Sequence, residues 1–269
     1  MIAPIMRHAG EVSREMRYLL TGSYPAFVTD RNPAWTGDEV PVFVYHSVEP
    51  KEFAGEMEYL ARNGYSTITV GELLSFLEWG IRPAQRPVML TFDDGYASVW
   101  TEGGPILKKH GFVGVAFIVP DWIGRPGYLS WDEVRAMQES RMFDVQSHGL
   151  SHRIMQGAGE PDLKGIRYEL VESKRVIEEQ LPGHRVQDYC FPRAEGSEEA
   201  VLIARETGFR TAFWGVMNGR AVNRKGDSPY HIARLKHDFL VRLPGKNRKS
   251  MASVMWGKSI RRLKGQPYA

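Results

Sequence analysis

Thr91-Phe92-Asp93-Asp94-Gly95-Tyr96 follows the apolar run Pro87-Val88-Met89-Leu90. An apolar run of this length, bounded by turn residues, predicts a buried strand. The strand presents two adjacent carboxylates at its C-terminal edge, where α/β folds build their sites. Successive strand side chains point to opposite faces, so Asp93 and Asp94 need not compete for one position. One can bind a metal while the other handles a proton. Gly95 lets the chain turn away. By itself the stretch also reads as an ordinary Asp-Gly turn after a strand.

A second stretch changes that balance. Phe143-Asp144-Val145-Gln146 predicts another short strand, followed by Ser147-His148-Gly149-Leu150-Ser151-His152. Two histidines four apart can converge on one ion. With Asp94 they form a set of two imidazoles and one carboxylate, which leaves coordination positions open for water and substrate. Zinc is the default ion for this set; cobalt, nickel and iron also suit it.

The rest of the chain alternates strand and helix patterns. Pro41 to His46 is a near-continuous apolar run, hence a buried strand ending on His46. Helices are predicted over Glu52–Asn63 and Val70–Trp79, the second opened by a Thr69/Glu72 capping box. Further helices are expected at Gly104–His110, at Trp131–Glu139 behind a Ser130/Glu133 box, at Asp162–Leu181 and at Glu198–Thr207. The charged face of Asp162–Leu181 is most simply solvated. Strands are expected at Val113–Val119, Gln187–Phe191, Thr211–Gly215 and His231–Leu235. This alternation argues for a parallel α/β sheet with right-handed crossovers. Periodicity cannot separate an open sheet from a barrel. Residues 1–39 read as an extension with a short helix at Glu11–Leu20, 40–240 as one catalytic domain, and 241–269 as a basic tail.

The composition of the 269 residues, 42% hydrophobic and 25% charged, is that of a soluble globular chain. The single Cys190 excludes an intramolecular disulfide and reads as a small buried hydrophobe. There is no apolar run long enough to span a membrane, and Met1–Leu20 lacks a signal-peptide core. We therefore expect a cytoplasmic protein. Net charge is +3, but eight basic residues lie after Asp238 with no acid among them. The remainder holds 27 basic and 32 acidic residues. Between Lys246 and Lys264 apolar residues recur every three to four positions, which suits a basic amphipathic helix on an anionic membrane surface. No nucleic-acid-binding motif accompanies the charge.

The pair of motifs TFDDGY and SHGLSH resembles the polysaccharide deacetylase family, the NodB-homology or carbohydrate esterase family 4 domain, over roughly residues 40 to 240. The resemblance implies a single-domain distorted (β/α) barrel of about seven parallel strands, and removal of N-acetyl groups from amino sugars. It implies that Asp94, His148 and His152 hold the metal and that Asp93 is the general base. It places the oxyanion donor at the backbone N–H of Arg193, after Phe191-Pro192. Here the chain departs from the family, with Arg193 and Ala194 standing where an aromatic residue and Gly are usual. Two histidines compete for the general acid. Val42-Phe43-Val44-Tyr45-His46 resembles the strand of the circularly permuted poly-N-acetylglucosamine deacetylase branch, which favours His46. Leu235-Lys236-His237 resembles the Leu-x-His of the unpermuted branch. Arg234 would orient Asp93, with a surface ion pair as the simpler role. Trp214 could line a sugar groove or belong to the core. His110, His184 and His231 read as structural.

The expected activity is metal-dependent N-deacetylation of an oligo- or polysaccharide or a lipid-linked glycan, with the tail at the membrane. The alternatives are a C–N hydrolase acting on a cyclic imide or other small amide, and an inactive glycan-binding module.

Overall fold

The structure is a computed structural model that describes residue 18 and residues 21–155, 162–217 and 220–263. The helix expected at Glu11–Leu20 lies outside the described residues except for Tyr18, which is helical. Seven strands form a curled parallel sheet: β1 (Val42–Tyr45), β3 (Pro87–Asp94), β4 (Gly114–Ile118), β5 (Phe143–Ser147), β6 (Asp188–Cys190), β7 (Thr211–Phe213) and β8 (Leu235–Lys236), in the order β7-β6-β5-β4-β3-β1-β8. A two-residue strand, β2 (Ser66–Thr67), adds to the N-terminal end of β3. The segment entering β8 also bonds to β7, through Ile232 N–H to Ala212 O at 3.0 Å and Trp214 N–H to Ile232 O at 2.8 Å. The last strand thus touches β7 at its start and β1 at its end. The result is the distorted (β/α) barrel.

Side-chain parity sorts the core. Val42, Met89, Val115, Phe117, Cys190, Phe213 and Ile232 meet in one cluster. Since strands from opposite sides of the ring contribute to it, it fills the interior. Phe43, Tyr45, Leu90, Phe92, Ala116, Tyr189 and Leu235 take the other parity and face the helical layer.

The helices are α1 (Ala26–Thr29), α2 (Pro50–Arg62), α3 (Val70–Trp79), α4 (Gly104–His110), α5 (Trp131–Glu139), α6 (Leu163–Gln180), α7 (Glu198–Glu206) and α8 (Met251–Leu263). Both capping boxes are formed: Thr69 and Ser130 each accept the N–H of the glutamate three residues on. Helix α8 lies on the body. Its Val254 and Lys258 are buried, Lys258 Nζ is 3.3 Å from Asp238 Oδ2, and Arg261 pairs with Glu52 and Asp238. Before it, Arg242 donates to Val28 O at 3.0 Å and Arg248 to Phe27 O at 2.8 Å. Four basic residues of the tail, among those described, therefore have partners in the body. No described helix is long and apolar enough to cross a membrane.

Candidate metal centre and catalytic dyad

Strand β3 delivers Asp93 into the ring, on the parity of Met89, at 2% exposure. Arg234, one residue before β8 and equally buried, meets it with a two-pronged fork, Nη1 to Oδ1 at 2.7 Å and Nη2 to Oδ2 at 2.8 Å. Such paired, charge-assisted bonds are the strong kind. Arg234 is held in turn by Trp214 O at 2.7 Å through Nε and by Thr91 Oγ1 at 3.2 Å. Burial alone would raise the Asp93 pKa. The Arg234 charge outweighs it and holds this carboxyl well below the usual carboxylate range.

Asp94 closes the strand with φ at +75°, a left-handed conformation that turns its carboxylate toward the loop after β5. Its Oδ1 lies 3.5 Å from His148 Nε2 and 3.4 Å from His152 Nε2, is buried, and makes no hydrogen bond. Burial, then the neighbouring Asp93, pushes its pKa up to about 7. His148 Nδ1 is 2.8 Å from Cys190 O. A carbonyl only accepts, so Nδ1 carries the proton and Nε2 is left as a bare lone pair. Burial lowers the His148 pKa to about 3 and also lowers that of His152, so both rings are in the ligating, neutral form. One orphaned carboxylate oxygen facing the Nε2 atoms of two neutral imidazoles fits a divalent cation, and the donor set fits zinc or a neighbouring transition metal.

The loop carrying the histidines is clamped from behind by Glu169 of α6. Its Oε2 accepts the N–H groups of Leu150 and Ser151 at 2.9 and 3.0 Å, and its Oε1 the Ser151 hydroxyl at 2.5 Å. The sequence reading missed Glu169 and gave the charged face of this helix to solvent. The signal was present: Glu169 stands three residues after Ile166 and next to Leu170, on the buried side. From the sequence Cys190 is only a small buried residue. It is buried, but its carbonyl orients His148 and its Sγ lies 3.7 Å from Asp93 Oδ2.

His46 extends β1 on the inward parity of Val42, within electrostatic reach of Asp93. Burial pushes its imidazole down to about 4, against the opposing pull of Asp93. His237 takes the outward parity of Leu235. It stacks on Tyr45 at 4.5 Å between centroids, and its Nδ1 is 3.0 Å from Glu56 Oε1. The two candidate acids thus stand on opposite sides of the barrel wall. The His237 residue is buried, at 3% exposure.

The turn after β6, Pro192–Ala194, holds Arg193 and Ala194 at φ +57° and +59°. Ala194 and Glu195 N–H groups bond to Phe191 O and Pro192 O, whereas the Arg193 N–H meets no described backbone carbonyl. Four of the six left-handed non-glycine residues among those described, Asp94, His152, Arg193 and Ala194, lie at this mouth, as strained backbone does at functional sites. An aromatic flank adjoins them. The Trp122 ring centroid is 4.7 Å from that of His152, and Tyr128 is stacked on Tyr96 at 4.8 Å. Trp214 packs on Phe191 and His231, and His184 bonds to Val145 O.

A parallel barrel with an arginine-held carboxylate and a two-histidine, one-aspartate cluster at its strand ends is the architecture of a polysaccharide deacetylase. The family model "Polysaccharide deacetylase" matches residues 80–212, and the chain carries a domain of this family. The Bacillus subtilis protein YxkH is 26% identical over 193 residues, 67% of each chain. The poly-beta-1,6-N-acetyl-D-glucosamine N-deacetylase of Staphylococcus epidermidis is 27% identical over 200 residues, 71% of this chain and 68% of that one. The structure of IcaB from Ammonifex degensii superposes with a TM-score of 0.65 at 26% identity, covering 74% of this chain and 91% of that one.

Proposed function

We propose that the chain is a divalent-metal-dependent N-deacetylase acting on N-acetylhexosamine units of an oligo- or polysaccharide, or of a lipid-linked glycan precursor, releasing acetate and a free amine. The observation that carries this reading is the orphaned Asp94 Oδ1 facing the Nε2 atoms of His148 and His152, one residue from an arginine-held carboxylate. A metal held by Asp94, His148 and His152 would polarise the acetyl carbonyl and acidify a water.

The chain's own groups supply the remainder. Asp93, kept ionised by Arg234, accepts the proton of the attacking water. The unengaged N–H of Arg193 donates to the developing oxyanion. His46 hands a proton to the leaving nitrogen. With its pKa near 4 it must first gain that proton, and the facing Asp93 is the neighbour that favours the charged ring. His237 has no part in this step, since it lies outside the wall.

The test is acetate release from N-acetylglucosamine oligomers with and without added Zn²⁺, beside Asp93→Asn. Metal-dependent release lost in the variant supports the reading. No release from any oligomer, with metal shown to be bound, rejects it and favours a small cyclic imide or another non-sugar amide. Peripheral contact with an anionic membrane through α8 belongs to the same proposal. Trp256, 70% exposed on that helix, reports it: its emission shifts to the blue on anionic vesicles, and an unshifted emission removes the membrane from the reading.

A further inference from the structure

On the outer side of the wall, behind His46, lies a cavity of about 210 Å³. That is several times the ~30 Å³ that a water takes up in the liquid. It opens at Glu49 and Pro50 and runs inward past Glu52 to Glu56 and His237, with Ser47 beside it. Val48 and Phe53 line its apolar flank. Nothing in the deacetylation mechanism uses it.

Its polar groups share one character. Glu56 is spanned by the Tyr45 hydroxyl at 2.8 Å and by His237 Nδ1 at 3.0 Å. With Nδ1–H given to the carboxylate, the neutral His237 ring would hold its lone pair on Nε2. That atom is buried and has no hydrogen-bond partner. Glu49 uses one oxygen to cap the N–H of Glu52 at 2.7 Å, and Glu52 uses one on Arg261 at 2.5 Å. Arg261, the one cation in the lining, is spent on Glu52 and Asp238. The cavity therefore presents three carboxylates and an imidazole lone pair against a single, already paired guanidinium. A buried acceptor without a donor is expensive, and a positively charged donor relieves it best. No three metal-ligating atoms among the described residues of this cavity converge as those of the catalytic centre do, so a coordinated ion does not fit.

We infer that this cavity is a binding site for a primary ammonium group, and that its occupant is an amino sugar, with ring carbons against Val48 and Phe53 and ammonium toward Glu52, Glu56 and His237. The ammonium preference stands on the lining alone. The choice of an amino sugar rests on the deacetylase reading, since a free hexosamine amine is what that reaction makes. Tyr45 and His46 are consecutive, one facing the cavity and one the catalytic centre.

The experiment is a titration of the full chain, followed by amide chemical shifts, with glucosamine, N-acetylglucosamine and n-propylamine. We expect saturable shifts clustered on Ser47, Val48 and Glu52 with glucosamine and propylamine in the millimolar range, about tenfold weaker in Glu49→Gln/Glu52→Gln. N-acetylglucosamine gives none there. Clustered shifts from N-acetylglucosamine as strong as those from glucosamine, or no saturable shift with either amine, overturn the site. Propylamine binding without glucosamine binding overturns the amino-sugar occupant. Because binding is read without turnover, loss of the deacetylase reading leaves the propylamine result standing.

Discussion

Arg234 and Asp93 are joined by two bonds at full burial, and removing one partner strands the other. Arg234→Met is expected to lower unfolding stability by about 3–5 kcal/mol, because an unpaired carboxylate remains in the ring; urea unfolding measures it. Asp93→Asn has a different signature. Acetate release falls by about 10²–10⁴ while bound metal, determined by elemental analysis, persists, since Asp94 and the histidines are untouched. The two histidines separate in the same way. His46→Gln is expected to cost a comparable factor in kcat. His237→Gln acts first on stability, because it unpairs Glu56 and the stack on Tyr45. A larger kcat loss in His237→Gln than in His46→Gln would exchange their roles. The sequence favours His46 only by resemblance, since each histidine follows a good strand pattern. What separates them is parity across the barrel wall, which depends on where each strand joins the ring.

Elements position what residues cannot hold by themselves. The loop Ser147–His152 places two imidazoles, yet its shape is fixed by a carboxylate on α6, some twenty residues on. Glu169→Gln keeps the size and weakens three accepted bonds. We expect metal affinity to fall by about 10–100-fold, read by competition with a chelator, with the fold retained by circular dichroism. Helix α8 shows the same dependence on remote partners. Its charge pattern was legible as a basic amphipathic stretch, and its apolar spacing was correct. Its destination was not legible, because Asp238 lies twenty residues from Lys258, and Glu52 is 209 positions from Arg261. Deleting residues 250–269 is expected to lower the thermal midpoint, since Asp238 loses both cations and Phe239 loses the Lys258 ammonium 4.2 Å above its ring.

At the scale of the molecule, the alternating strand and helix pattern made the α/β class readable, and the family motifs supplied the barrel. The two stretches that meet at the candidate site were readable because each is local: a strand end and the few residues after it. The remaining links were not, since Glu56, Glu169 and Cys190 are ordinary residues in ordinary patterns until the ring brings them together. The candidate metal cluster couples site to fold, because its donors come from the end of β3 and the loop after β5, two of them on left-handed residues. Added Zn²⁺ is expected to raise the thermal midpoint of metal-stripped protein. At a hundredfold excess over its dissociation constant the gain is about 2.7 kcal/mol. An unchanged midpoint would place the ion elsewhere.

The fork between Asp93 and Arg234 joins residues 141 positions apart. During synthesis at about 5–20 residues per second, the aspartate therefore emerges roughly 7 to 28 seconds before the arginine that neutralises it. Until then the nascent ring lacks both its closing strand and the counter-charge that makes its interior tolerable to a carboxylate. The candidate site is thus among the last parts of the protein to mature on the ribosome. A chain stalled short of β8 would be released with Asp93 unpaired, and with an open sheet edge for chaperones to recognise.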